Sequence, residues 1–280
     1  MRLDRYSRVA DFLAAAGDFL AAREAEHNLI LGVASMAGAR DRSGEPPYLA
    51  VISDGDRVVM AALRTPPFNL ILSQVDETAA IGALADDLGG TELPGVVGSP
   101  EAARAFAERW IATEGGSWAV VIDERVYRLS AVHPPRPAAG SWRLADPPDR
   151  SLLAGWLADF GIESLNDPDA VRIELSLEDW AAGAGRRFWL WEIGGEPVSM
   201  VGASGETPHG IRIGPVYTPP AHRGHGYASN LTAAVSQALL DEGRSFCFLY
   251  ADQANGTANR IYQAIGYEPV TDAVMLRFNR

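Results

Sequence analysis

Apolar residues recur along this chain at two spacings, and the alternation between them sets out the elements. Three strand-length runs, Arg187 to Ile193, Pro197 to Ala203 and Gly210 to Thr218, follow one another, and Gly194-Gly195 between the first two suits a hairpin turn. Downstream, Leu231, Val235, Ala238 and Leu239 share one helical face that closes at Gly243. Phe246 to Ala251 is a nearly unbroken apolar strand, and Ala258, Ile261, Tyr262 and Ile265 repeat at helical spacing before Gly266. A short strand at Ser141 to Leu144, a helix from Asp149 and another from Ser176 to Ala184 precede this block. One or two strands within Val270 to Phe278 end it.

The N-terminal part gives a similar order. Helices are expected at Val9 to Glu24 and Leu29 to Met36, then strands at Tyr48 to Ile52, Arg57 to Arg64 and Phe68 to Ser73. A helix from Asp76 to Leu88, a strand at Gly95 to Gly98, a helix from Pro100 to Thr113 and a hairpin from Trp118 to Leu129 complete it. The proline-rich run His133 to Gly140 has no periodicity and reads as a linker. The expected organisation is two α/β domains, residues 1–132 and 141–280, joined by 133–140, each a mixed sheet flanked by helices.

Composition narrows the partners. The chain has 280 residues and a net charge of −12, which argues against nucleic acid or an anionic membrane. No apolar stretch approaches the roughly 20 residues that span a bilayer, and the charged start Met1-Arg2-Leu3-Asp4-Arg5 is not a secretory signal, so a cytoplasmic protein is expected. Cys247 is the only cysteine, and in Phe246-Cys247-Phe248-Leu249-Tyr250 a buried strand residue is the reading preferred to a nucleophile. No metal site is expected.

The most specific local feature is Arg223-Gly224-His225-Gly226-Tyr227-Ala228, between a strand and a helix. Two glycines let main-chain amides approach an anion closely, and the helix that follows turns its unpaired amides and positive dipole end toward the same place. Pro219 and Pro220 stiffen the entry to this loop. The corresponding place in the N-terminal half holds Gln74-Val75, then Asp76 and Glu77, carboxylates that satisfy a helix start themselves and repel a phosphate.

The strand, the Arg-x-x-Gly-x-Ala motif at 223–228, the long helix, the apolar strand and Asn255-x-x-Ala258-Asn259-x-Ile261-Tyr262-x-x-x-Gly266-Tyr267 together resemble the GNAT superfamily of acyl-CoA-dependent acyltransferases. The likeness runs in element order over residues 141–280, with its specific motifs in about 210–267. The first half then reads as a degenerate GNAT-like copy that shapes an acceptor cleft or an interface.

The resemblance implies that acetyl-CoA lies in a gap between the strand ending at Thr218 and the strand ending at Ala251. Its pantetheine arm pairs with the main chain at Val216, Tyr217 and Thr218, like an added strand. Its pyrophosphate rests on amides of Arg223, Gly224, His225, Gly226, Tyr227 and Ala228. Tyr262 matches the family's general acid for the departing thiolate, a task that suits a phenol of pKa near 10, while its place on an apolar helix face also fits a core tyrosine. Asn255 and Asn259 read as helix caps, cofactor contacts or both.

The implied reaction moves an acetyl group from acetyl-CoA directly to an amine through a ternary complex. The base that deprotonates the amine is not identified, with Glu192, Asp252 and His209 as candidates. Phe188, Trp189 and Trp191 suit either an acceptor cleft or the core, and Trp142, Trp156 and Trp180 the core. A non-catalytic acyl-CoA sensor is the other reading. A nucleotide-binding protein fits less well, because neither a Gly-Lys-Ser/Thr phosphate loop nor a Gly-x-Gly-x-x-Gly turn is present.

Overall fold

β-branched and aromatic runs form strands where the spacing places them, and the computed structural model, which describes residues 1–38, 45–165 and 170–279, divides them between two units. Unit 1 comprises Met1–Val126 with Val270–Arg280, and unit 2 comprises Tyr127–Pro269.

The first elements wholly within unit 2 are β7 (Ser141–Leu144), α5 (Arg150–Leu165) and α6 (Ala170–Ala181), numbered after those of the N-terminal part described below. It continues through β8 (Arg187–Ile193), β9 (Glu196–Glu206), β10 (Gly210–Tyr217), α7 (Tyr227–Asp241), β11 (Phe246–Asp252) and α8 (Gly256–Ala264). β7, β8, β9 and β10 pair antiparallel in sequence order, and β11 joins β10 parallel after the α7 crossover. One sheet face packs Trp189, Trp191, Val201, Leu231, Val235, Leu249 and Tyr262 into a core with α7 and α8. The opposite face packs Phe188, Leu190, Met200 and Tyr217 against Leu153, Trp156 and Leu177 of α5 and α6. Alternate residues of β8 thus feed two cores, as period-two geometry requires.

Unit 1 repeats that order: β1 (Arg2–Tyr6), α1 (Val9–Ala21), α2 (Asn28–Gly38), β2 (Tyr48–Asp54), β3 (Arg57–Arg64), β4 (Leu70–Leu72), α3 (Ala79–Leu88), β5 (Gly95–Gly98) and α4 (Pro100–Glu114). β1 to β4 pair antiparallel in sequence order, and β5 joins β4 parallel after α3, the same arrangement as in unit 2. β1 has no counterpart in the sequence reading, and it completes the correspondence with β7.

Four expectations change. Ser117–Leu129 is one continuous strand, β6, and not a hairpin: the polar trio Asp123-Glu124-Arg125 lies within it, and Arg125 pairs with Asp272 at 2.8 Å. The last strand is single, within the one or two expected, but β12 (Glu268–Asn279) finds its partner in the other half of the chain: its Val274 to Arg277 pair antiparallel with Gly98 to Gly95 of β5. Val274 and Leu276 are fully buried among Val96, Phe106 and Trp110, so this C-terminal strand belongs with the N-terminal unit.

The proline-rich run is not a free linker. It lies within unit 2, where Trp191 Nε1 donates to the Ala139 carbonyl at 2.8 Å and the His133 amide to the Ile265 carbonyl at 2.9 Å. Lastly, α3 starts at Ala79 instead of Asp76, because Asp76 and Glu77 are drawn into ion pairs with Arg23 and Arg57.

Candidate functional site

β10 and β11 start together and then part. Parallel pairing joins Gly210 with Phe246, Ile211 with Cys247 and Arg212 with Phe248, and the described residues give no further pair. On its other edge β10 shifts register against β9 between Ile213 and Val216, a bulge that turns the strand's last residues. Gly202 of β9 faces this bulge, and a Cβ there would stand 2.8 Å from the Gly214 carbonyl oxygen. The C-terminal half of β10 therefore offers main-chain groups toward β11 that the sheet does not use, at the level of Val216, whereas the Tyr217 carbonyl accepts from Ser199 Oγ of β9 at 3.1 Å.

The loop after β10 is shaped by its own residues. Arg223 Nε donates to the Thr218 carbonyl at 2.8 Å, and its Nη2 reaches both carboxylate oxygens of Glu163 on α5 at 2.9 and 2.7 Å. The guanidinium also lies 5.9 Å from the Tyr217 ring centroid. Gly224 and Gly226 have φ of +80° and +82°, left-handed values that an L side chain adopts only with strain.

Gly226 is the N-cap of α7, which has no side-chain cap and no acidic residue in its first turn, and His225 stacks on Tyr227 with centroids 5.4 Å apart. Elsewhere α4 is capped by Ser99 and α8 by Asn255. The start of α7 presents uncapped amides from Tyr227 and Ala228 onward, an arrangement suited to an anion.

Unit 1 uses the matching place differently. The Gln74 amide donates to His27 Nε2 at 3.1 Å and the Asp76 amide to the Val59 carbonyl at 3.1 Å. His27 is buried, its Nδ1 lies 2.9 Å from the Leu20 carbonyl, and burial lowers its pKa to about 4. A neutral ring with Nδ1–H donating and Nε2 accepting satisfies both contacts.

Tyr262 lies on α8 and is 9% exposed. Its ring meets Tyr267 edge-on, and burial raises its pKa to about 12. Among the described residues its hydroxyl has no hydrogen-bond partner. Tyr267 is anchored in turn, its hydroxyl 2.8 Å from Ser236 Oγ on α7. The two asparagines serve the scaffold. Asn255 accepts from the Ala258 amide at 3.0 Å as the cap of α8. Asn259 gives both side-chain hydrogens away, to the carbonyls of Asp252 at 2.7 Å and Asn255 at 2.8 Å, while its Oδ1 accepts from the Tyr127 hydroxyl at 2.7 Å. The structure thus ties the end of β11 to α8 and leaves Asn259 no N–H for a ligand.

The three base candidates separate. Glu192 is bound to Arg143, which also holds Asp149 in a fork of two hydrogen bonds, and this pairing keeps the Asp149 carboxyl below its usual range. His209 immediately precedes Gly210, so it stands at the end of β10 remote from the parted strands. Asp252 closes β11 at the parted end, with Oδ1 accepting from the Ala254 amide at 2.8 Å.

Phe188, Trp189 and Trp191 are core residues, and so is Cys247, whose thiol burial pushes up to about 12. Trp142, in contrast, is 43% exposed on the edge strand β7. Glu163, Asn230 and Ser236 are the residues that sequence reasoning passes over. Their partners lie 60, 94 and 31 positions away, separations that no local spacing reveals. Among the described residues no cluster of histidine, cysteine or carboxylates suits a metal, and no helix is long and apolar enough to cross a membrane.

Residues 151–267 match the family model described as Acetyltransferase (GNAT) family. Unit 2 is GNAT-like. Similar solved structures include a GCN5-related N-acetyltransferase from Kribbella flavida, 18% identical over 93% of this chain and 96% of that one, with a TM-score of 0.60. A GCN5-related N-acetyltransferase from Sphaerobacter thermophilus is also 18% identical, over 98% of this chain and 95% of that one, with a TM-score of 0.58. A tandem GNAT protein from the clavulanic acid biosynthesis pathway is 14% identical over 98% and 97%, with a TM-score of 0.55, and supports the tandem arrangement of the two units. No curated protein matches the chain. The GNAT-like unit holds both the parted strands and the glycine loop.

Proposed function

We propose that the GNAT-like unit is an N-acetyltransferase that moves an acetyl group from acetyl-CoA directly to an amine. The observation that carries this reading is the coincidence of three features: strands that part after Arg212 and Phe248, the uncapped α7 entered through Gly224 and Gly226, and the unpartnered Tyr262 hydroxyl on α8. The pantetheine arm pairs with the main chain at the end of β10, Val216 and Tyr217, and at Thr218 just beyond it. The pyrophosphate takes the amides from Arg223 to Ala228, where the fixed dipole favours negative charge.

In the reaction the amine nitrogen attacks the thioester carbonyl carbon, the carbon–sulfur bond breaks, and the sulfur takes a proton from Tyr262. Burial keeps that phenol protonated throughout the neutral range, the state a general acid needs. The amine's proton leaves toward Asp252, the candidate carboxylate at the parted end of the strands. Cys247 is buried and held as a thiol, which favours direct transfer over a cysteine-bound acetyl group. The commitment of Glu192 to Arg143 and the remote place of His209 favour the second reading, an acyl-CoA sensor without turnover. Thiol release from acetyl-CoA across a panel of small amines, amino acids and peptides decides between them: amine-dependent release supports the enzyme, and tight CoA binding without release supports the sensor.

A further inference from the structure

The run His133 to Gly140 passes directly beside the glycine loop. One amide group, Asn230 Nδ2, donates both to the Gly226 carbonyl at 2.9 Å and to the Arg136 carbonyl at 3.0 Å. The Asn230 Oδ1 receives the Ala138 amide at 3.4 Å, so a single side chain on the first turn of α7 clasps residues 136 to 138. Pro135 and Pro137 flank Arg136 and restrict the backbone on both sides, which lowers the entropy lost in holding it there.

Arg136 itself is exposed, and among the described residues its guanidinium has neither an ion-pair nor a hydrogen-bond partner. In the same unit the arginines at 143, 187, 223 and 244 are paired with carboxylates, Arg128 lies over the Phe246 ring and Arg260 donates to the Thr257 hydroxyl, whereas Arg136 has none of these contacts among the described residues. In a chain of net charge −12, an unpaired cation whose main chain is hydrogen-bonded to the first turn of the uncapped α7 is a local reversal of the field.

We infer that Arg136 is a further cofactor-binding residue, which extends the anion site of the glycine loop and receives a phosphoryl group of the nucleotide end of the acyl donor. This rests on the acyl-CoA reading above. A guanidinium suits the task because it stays charged and meets phosphate oxygens with paired N–H groups. Coenzyme A offers two such groups, the 3′-phosphate of its ribose and the pyrophosphate.

Titration calorimetry of CoA and 3′-dephospho-CoA into the wild-type chain and Arg136→Gln tests the inference, with thermal melting to confirm that the variant is folded. The expected result is about a tenfold loss of CoA affinity and a shallower dependence on salt. If the loss disappears with 3′-dephospho-CoA, the 3′-phosphate is the group received, and if it persists, the pyrophosphate is. Arg136→Lys should keep part of the affinity. A folded Arg136→Gln that binds CoA as the wild type does overturns the inference and leaves the acyl-CoA reading intact. A wild-type chain that binds neither ligand overturns both.

Discussion

Tyr267 joins α8 to α7: its hydroxyl lies 2.8 Å from Ser236 Oγ, and its ring stands edge-on to Tyr262 with centroids 6.1 Å apart. The hydrogen bond holds the Tyr267 ring in place, and that ring packs edge-on against the Tyr262 ring. Tyr267→Phe keeps the ring and leaves Ser236 Oγ without its buried partner. It should lower stability by about 1 kcal/mol in chemical denaturation and reduce turnover only a few-fold. Tyr267→Ala removes the edge contact as well and should cost about 3 kcal/mol or more.

The left-handed glycines set the loop. At Gly224 a Cβ meets nothing within 4 Å, so Gly224→Ala introduces backbone strain without a clash. That strain is about 1–2 kcal/mol at φ of +80°. The melting temperature should fall by a few degrees, while KM for acetyl-CoA rises by about tenfold, and steady-state kinetics beside a melt separates the two effects.

Arg223 and Glu163 form an ion pair whose side chains are 47% and 43% exposed, so the pair alone is worth less than about 1 kcal/mol. Arg223 also holds the Thr218 carbonyl. Glu163→Gln should therefore change KM for acetyl-CoA less than twofold, whereas Arg223→Ala loosens the loop entry and raises it several-fold. Equal effects of the two substitutions would contradict this account of the loop.

His27 links α1, α2 and the segment after β4, and its pKa falls from 6.5 to about 4 through burial, with Arg23 lowering it further and Asp76 and the Leu20 carbonyl opposing. The folded state holds the ring neutral while the unfolded chain protonates near 6.5, so acid favours unfolding. The contribution is fully present above pH 6.5 and is lost as pH falls toward 4, by about 3 kcal/mol over that range. Denaturation of the wild type between pH 7.5 and 4.5 should show this slope, and His27→Gln should flatten it.

Much of this was legible in the sequence because unit 2 is written in strong local signals. Arg187–Ile193 and the glycine loop are read directly from aromatic runs and paired glycines. β1 escaped because Arg2, Asp4 and Arg5 make an edge strand look like a charged terminus, and its pairing with β2 is tertiary. The hairpin expected over Trp118 to Leu129 is one strand, because nothing local announces that Arg125 pairs with Asp272, 147 positions away. The proline-rich run reads as a linker, since nothing local announces that Asn230 and Trp191 bind it. Asn259 drew attention for its motif, yet its hydrogens serve the carbonyls of Asp252 and Asn255.

The most direct test compares wild type and Tyr262→Phe in single-turnover thiol release from acetyl-CoA with an accepted amine, alongside CoA affinity by calorimetry. Loss of the acid should reduce the rate by about a hundredfold or more and leave CoA binding within about twofold. The wild-type rate should show no alkaline decline from this phenol below about pH 11, because burial raises its pKa to about 12. A Tyr262→Phe protein that releases thiol at the wild-type rate would contradict the assignment of this hydroxyl as the proton donor.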